Sequence, residues 1–250
     1  MAERQFYKNA PIVEAVIALG WTYDDFPVEK LTELRGVIGE EYPAMSALNH
    51  ADIAIDEKSS DTRVTLVGYR FDHVDKKYVL QTRCDGFTLS VLAPYDSWEP
   101  FRDEARKIWD VYRSKMTPKQ VSRVAVRYIN QVNIPYTDET NRLEQSDYFR
   151  TYPEVSKDYP HSNIEHFLMK LIIPQPDIHG VLGLTQARTA PPDDQTVSIL
   201  LDIDLFSERL SNPWDATHDD AMWQFLEVLH VRKNEIFEAS ITRRTKELIQ

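Results

Sequence analysis

Two aspartates, Asp202 and Asp204, stand two residues apart within the apolar stretch Val197–Leu205. In a strand that spacing puts both carboxylates on one face, as two-metal nucleotidyl transfer requires. That chemistry also needs a Gly-Ser or Gly-Gly helix start upstream, and here Gly183 is followed by Leu184. The pair therefore reads as strand carboxylates that accept Arg or backbone donors, with metal binding by Asp202 and Asp204 a weak alternative. Glu14 and Arg127 are lone charges in otherwise apolar stretches. A buried charge demands a partner, so the two are expected to pair where their strands meet and to fix the register. The other reading makes them a ligand-facing charge pair, with Asn130 and Asn133 adding polar reach on opposite faces of the same strand.

A third group, His230, Lys233, Asn234 and Glu235, falls in a helical pattern. His230 and Asn234 are four apart and share a face, while Lys233 lies on the side of Leu229 and Phe237. Such groups could read a ligand anion or another backbone, or simply hydrogen-bond where the helix crosses a sheet. His218-Asp219-Asp220 has no companion His and Asp pattern for phosphate hydrolysis and reads as a helix start, where carboxylates complement the dipole. Cys84 sits in Arg83-Cys84-Asp85, with no neighbouring His or helix start to activate a thiolate, and reads as a small strand residue. No nucleophile elbow, P-loop, dinucleotide fingerprint or His-Glu-x-x-His is present, so no cofactor is implied.

Positioning these groups takes a substantial core, and 250 residues with 42% hydrophobic side chains supply one. The formal net charge of −11 disfavours nucleic acid and anionic lipid as partners and favours a basic protein. With one cysteine there is no intrachain disulfide, and the start lacks a signal peptide's apolar run. The expected location is therefore cytoplasmic, with no membrane span.

Alternation predicts strands over Ile12–Trp21, Ile53–Ile55, Arg63–Phe71, Tyr78–Arg83 and Phe87–Leu92, with Asp85-Gly86 as a hairpin turn. Helical spacing predicts helices over Pro27–Glu41 and Trp98–Met116. Further strands are expected over Val121–Ile134, Ile164–Ile173, Val181–Ala187 and Val197–Leu205. A short helix is expected over Gln145–Thr151, and a long one over Asp219–Leu248, broken near Ala239–Thr242. The fold class is thus α+β: antiparallel sheet backed by long helices, in two halves (1–118 and 119–250) packed as one globular unit. The two halves share an order of strand, helix, strands, helix, which suggests a duplicated unit. That order resembles, as an architectural analogy, the saddle of the TATA-binding protein.

Four stretches carry a more specific resemblance: Asn9-Ala10-Pro11-Ile12-Val13-Glu14-Ala15-Val16, Ser122–Asn130, Leu201-Asp202-Ile203-Asp204 and Leu229–Phe237. Together they resemble a sporadically distributed family of uncharacterised prokaryotic proteins, across nearly the whole chain. Ala125 departs from the glycine expected there. The resemblance implies no activity, but a patchy distribution of this kind is shared with phage-defence and toxin–antitoxin genes.

Two functions remain open from the residues. The leading one is a non-enzymatic binding or adaptor protein with a protein partner, an accessory component of a defence or toxin–antitoxin system, for which Tyr95, Tyr136, Tyr148, Tyr152 and Tyr159 in loops offer interface material. The alternative is an enzyme or small-ligand receptor, with Arg127, Asn130, Lys233 and Asn234 lining a pocket between sheet and helices. A homodimer is compatible with both.

Overall fold

The computed structural model describes residues 7–22, 27–55, 60–136, 143–156, 158–161 and 164–250. The chain opens with β1 (Ile12–Gly20), in which Ala15, Ile17 and Leu19 are buried and the residues between them are half-buried. The stretch expected to be one helix over Pro27–Glu41 is instead a 3-10 segment, Val28–Leu34, followed by a single α-turn, α1 (Arg35–Ile38). Its apolar stripe survives, since Leu31, Leu34 and Ile38 are all buried. Gly36 and Gly39 weaken propagation of a longer α-helix.

Four strands follow: β2 (Ala44–Ile55), β3 (Ser60–Asp72), β4 (Tyr78–Arg83) and β5 (Gly86–Leu92). β2 starts nine residues before the expected Ile53. It is an edge strand, and Ala44–Ala51 lie exposed or half-buried, so no buried face imposes an alternation that sequence could reveal. The β4–β5 hairpin pairs Arg83 with Gly86, so its turn is Cys84-Asp85, one residue earlier than the expected Asp85-Gly86. Cys84 is thus a turn residue whose carbonyl accepts the Trp21 indole N–H at 3.0 Å. Gly68 of β3 stands where the β2 ladder slips register, and a Cβ there would lie 2.1 Å from the Thr82 carbonyl oxygen. Only glycine lets β3 and β4 approach so closely at this point.

α2 (Trp98–Met116) has the expected bounds and buries Trp98, Phe101, Ala105, Ile108, Trp109, Tyr112 and Met116. After β6 (Gln120–Val121), β7 (Arg123–Pro135) is the long strand expected here. The helix expected at Gln145–Thr151 is only a 3-10 turn, Gln145–Asp147, because Phe149 leaves it to bridge Ile241. β8 (Leu168–Gln175), β9 (Gly180–Thr189), β10 (Thr196–Glu208) and the short β11 (Trp214–Asp215) complete the strands. β8 begins four residues later than expected. α3 (Asp220–Ser240) and α4 (Arg243–Leu248) are separated near the expected break.

Among the described residues nine strands are hydrogen-bonded in the order β2-β3-β4-β5-β1-β7-β10-β9-β8, and β6 pairs separately with β11. The architecture is mixed α+β with a large antiparallel sheet. Among the described residues no helix is long and apolar enough to cross a membrane.

The chain divides into two compact units. One comprises Met1–Ala15, Ala125–Ser207 and Gln224–Gln250; the other comprises Val16–Val124 and Glu208–Trp223. The second unit has an aromatic core. Trp109 and Tyr112 stack within α2, and both meet Phe87 of β5 and Trp21, at ring separations of 5.4 to 5.9 Å. In the same unit the Trp109 and Trp223 indole N–H groups both donate to one Asp219 carboxylate oxygen, at 2.8 and 3.1 Å. Asp219, expected to complement a helix dipole, is therefore a buried acceptor for two indoles, while its carbonyl receives the first N–H groups of α3. The first unit has its core on β7, β10 and α3, where Tyr128, Leu201, Ile203, Leu205, Leu226 and Leu229 are fully buried.

Candidate functional site

Alternation along β7 sorts its polar residues onto two faces. Val126, Tyr128, Asn130, Val132 and Ile134 are buried, whereas Arg127 and Asn133 are exposed. On β10 the odd-numbered Leu201, Ile203 and Leu205 are fully buried, and Asp202 and Asp204 point the other way.

Arg127 and Asp202 meet in a two-pronged ion pair. Arg127 Nε donates to Asp202 Oδ1 at 2.8 Å and Nη2 to Oδ2 at 2.7 Å. The carboxylate-bearing side chain is 8% exposed and the guanidinium-bearing one 47%, so the arginine covers a nearly buried charge. Planar fork geometry makes such pairs stronger than single-point ones. These hydrogen bonds hold the guanidinium above its ordinary range, and the charges of Asp202, Asp204 and Glu14 add to the effect. Arg127 thus takes Asp202 as its partner in place of the expected Glu14, which is half-buried in β1 and acts on it through charge. Farther along this face Ser198 Oγ and Gln131 Nε2 both donate to Asn133 Oδ1, at 2.6 and 3.2 Å.

The buried face carries a different set. Asn130 donates through Nδ2 to the carbonyls of Leu201 at 3.0 Å and Tyr128 at 3.2 Å, tying β7 to β10. Lys233, on α3 and only 6% exposed, places its ammonium 3.5 Å from the centre of the Tyr128 ring. A cation over an aromatic face is attracted by the ring quadrupole, more strongly where water is excluded. His230 is also buried, with its ring 6.3 Å from that of Tyr128. Asn234 is half-buried on the same helix.

The structure therefore brings Asn130, His230 and Lys233 together around Tyr128, and puts Arg127 and Asp202 on the opposite face. Tyr128 was not singled out from sequence, although alternation places it inward and helical spacing places Lys233 on the buried stripe. Asp204 lies half-buried opposite Gly183 of β9. Among the described residues no three His, Cys, Asp or Glu side chains are placed to hold a metal ion. Of the loop tyrosines, Tyr148 belongs to the core at 4% exposure and Tyr159 is 60% exposed.

One further residue had no sequence signal. Gln186 of β9 is paired with Leu201 across the ladder and fully buried, and neither amide atom has a hydrogen-bond partner among the described residues. The sequence of the chain matches no protein-family model and no curated protein.

Proposed function

We propose that this chain is a non-enzymatic binding or adaptor protein that acts on a protein partner in the cytoplasm, as an accessory component of a bacterial defence or toxin–antitoxin system. The observation that carries the reading is how its most reactive side chains are engaged. Arg127 is committed to Asp202 through both prongs of its fork, Asn130 to two backbone carbonyls and Lys233 to the Tyr128 ring. Groups held this way fix strand and helix positions; a catalytic base or nucleophile must reach a substrate proton or carbonyl. Exposed apolar side chains supply material for a partner: Leu168 at 76% and Ile172 at 60% on edge strand β8. The defence setting rests on the resemblance of the four motif stretches, and a duplicated, saddle-like ancestry is part of the same proposal.

The test is to tag the chain in its host at native level, isolate it under gentle conditions and weigh the particle by light scattering. A stoichiometric complex with a defined second protein is expected. A particle containing this chain alone, as monomer or homodimer, under conditions of phage challenge as well as growth, overturns the reading. The small-molecule alternative predicts that Arg127, Asn130, Lys233 and Asn234 line one opening. A groove of about 300 Å³ on α3 is lined instead by Ile178, Glu227, Val228, Val231, Arg232 and Glu235.

A further inference from the structure

α3 has two apolar faces. One is buried through Met222, Leu226 and Leu229, with His230 and Lys233 alongside. On the other, Val228 and Val231 remain 43% and 55% exposed and, with Ile178, make the apolar floor of the 300 Å³ groove. That volume is at the low end for ligand clefts, which run from roughly 300 to 1,000 Å³. An aliphatic floor with charged walls suits side chains of a docking helix better than a small polar metabolite.

The rim has a definite charge. Glu227, Val231 and Glu235 succeed one another at four-residue spacing, so two carboxylates flank the exposed valine along the helix. Arg232 lies between, and its guanidinium is occupied. Nε donates to Glu235 at 2.9 Å, Nη1 donates to Gln175 at 2.9 Å, and Nη2 pairs with Asp177. Glu227 and Glu235 in the lining, with Asp177 on the far side of Arg232, outnumber that one guanidinium and leave this group net negative, on a chain whose overall charge is −11. A second copy docking through the same patch would bring the Glu227 and Glu235 carboxylates up against the same carboxylates of the copy, so the charge pattern disfavours self-association here.

We infer that this groove receives an amphipathic, basic helix of a protein partner, with a Leu, Ile or Val side chain on the Val228–Val231 floor and Lys or Arg residues beside Glu227 and Glu235. The inference rests on the adaptor reading and names the chemistry of its partner. Charge complementarity of this kind sets specificity and encounter rate, and the buried aliphatic contact sets the lifetime of the complex.

The test titrates two synthetic helix-forming peptides, each longer than about 15 residues, against the full chain by calorimetry. Both carry the same leucine stripe, one flanked by lysines and the other by glutamates. The lysine peptide is expected to bind, more weakly as salt is raised, and the glutamate peptide is not. Val231→Lys should weaken binding of the lysine peptide roughly tenfold or more, while Val64→Lys, a control at a 62% exposed valine, should change it by less than about twofold. Equal loss in both variants means nonspecific attraction to an acidic protein and overturns the inference, as does equal binding of both peptides or none of either. The two readings fail separately. A native complex that keeps its full affinity when Val231 is lysine removes the groove from the interface and leaves the adaptor reading standing. The lack of any native complex removes the adaptor reading itself.

Discussion

The guanidinium of Arg127 covers the carboxylate of Asp202 through two hydrogen bonds of 2.8 and 2.7 Å, between strands that lie 75 residues apart in sequence. The burial is unequal, and the cost of breaking the pair depends on which partner is removed. Arg127→Ala leaves a carboxylate in a nearly dry site and should cost about 2 kcal/mol of unfolding free energy, at the low end for buried pairs because the arginine is half-exposed. Asp202→Asn in the Arg127→Ala background should recover part of that loss. Urea unfolding of the two single variants and the double variant gives the coupling, and a coupling below about 0.3 kcal/mol would show that the pair contributes nothing.

Lys233 is the second anchor. Lys233→Met keeps the stem and removes the ammonium, and should cost about 1 kcal/mol. The part due to the ring contact appears as coupling with Tyr128→Leu in a double-mutant cycle. If the two substitutions are additive, the ammonium owes its position to other neighbours.

Gln186 should behave in the opposite sense. Its amide is buried with neither atom paired among the described residues, so its desolvation is uncompensated there. Gln186→Leu keeps a similar shape and should raise stability by about 1 to 2 kcal/mol, visible as a higher denaturant midpoint. A loss of stability on that substitution would mean that the amide has a partner in solution.

Acid sensitivity has an identifiable contributor in Asp215. The hydroxyl and backbone N–H of Thr217 donate to its Oδ1 at 2.6 and 2.7 Å. The hydroxyl bond and then the backbone bond lower its pKa from 3.8 to about 2. A carboxyl group whose pKa is lower in the folded chain stabilises it at pH above the unfolded value. That contribution is lost as pH falls from about 3.8 through about 2. Asp215→Asn should flatten the stability profile over that window and leave it unchanged at neutral pH apart from a constant offset. Asp75 and Asp177 are also lowered, by hydrogen bonds from Lys77 and Arg232, so some acid slope remains in the variant.

Patterns enforced by burial were legible in the sequence. The α2 stripe from Trp98 to Tyr112 could be read because each of its members faces the core. The inward series Ala15, Ile17, Leu19 of β1 could be read for the same reason. β2 could not, since an edge strand with an exposed Ala44–Ala51 stretch carries no such pattern. That Arg127 needs a carboxylate follows from its apolar context. That the carboxylate is Asp202 follows only from β10 lying beside β7, a matter of strand order that no local pattern encodes. The two-indole role of Asp219 was hidden by its position at a helix start, where a carboxylate already has a familiar use.

The compact units are threaded from separate stretches: Met1–Ala15 shares a unit with Ala125–Ser207 and Gln224–Gln250, while Val16–Val124 shares one with Glu208–Trp223. During synthesis Ile12–Ala15 of β1 therefore waits for Gln224–Gln250 before its unit can close, and Val16–Gly20 waits for Glu208–Trp223. Apolar segments threaded this way stand without their partners while the chain is being made, the condition in which misassembly competes with folding.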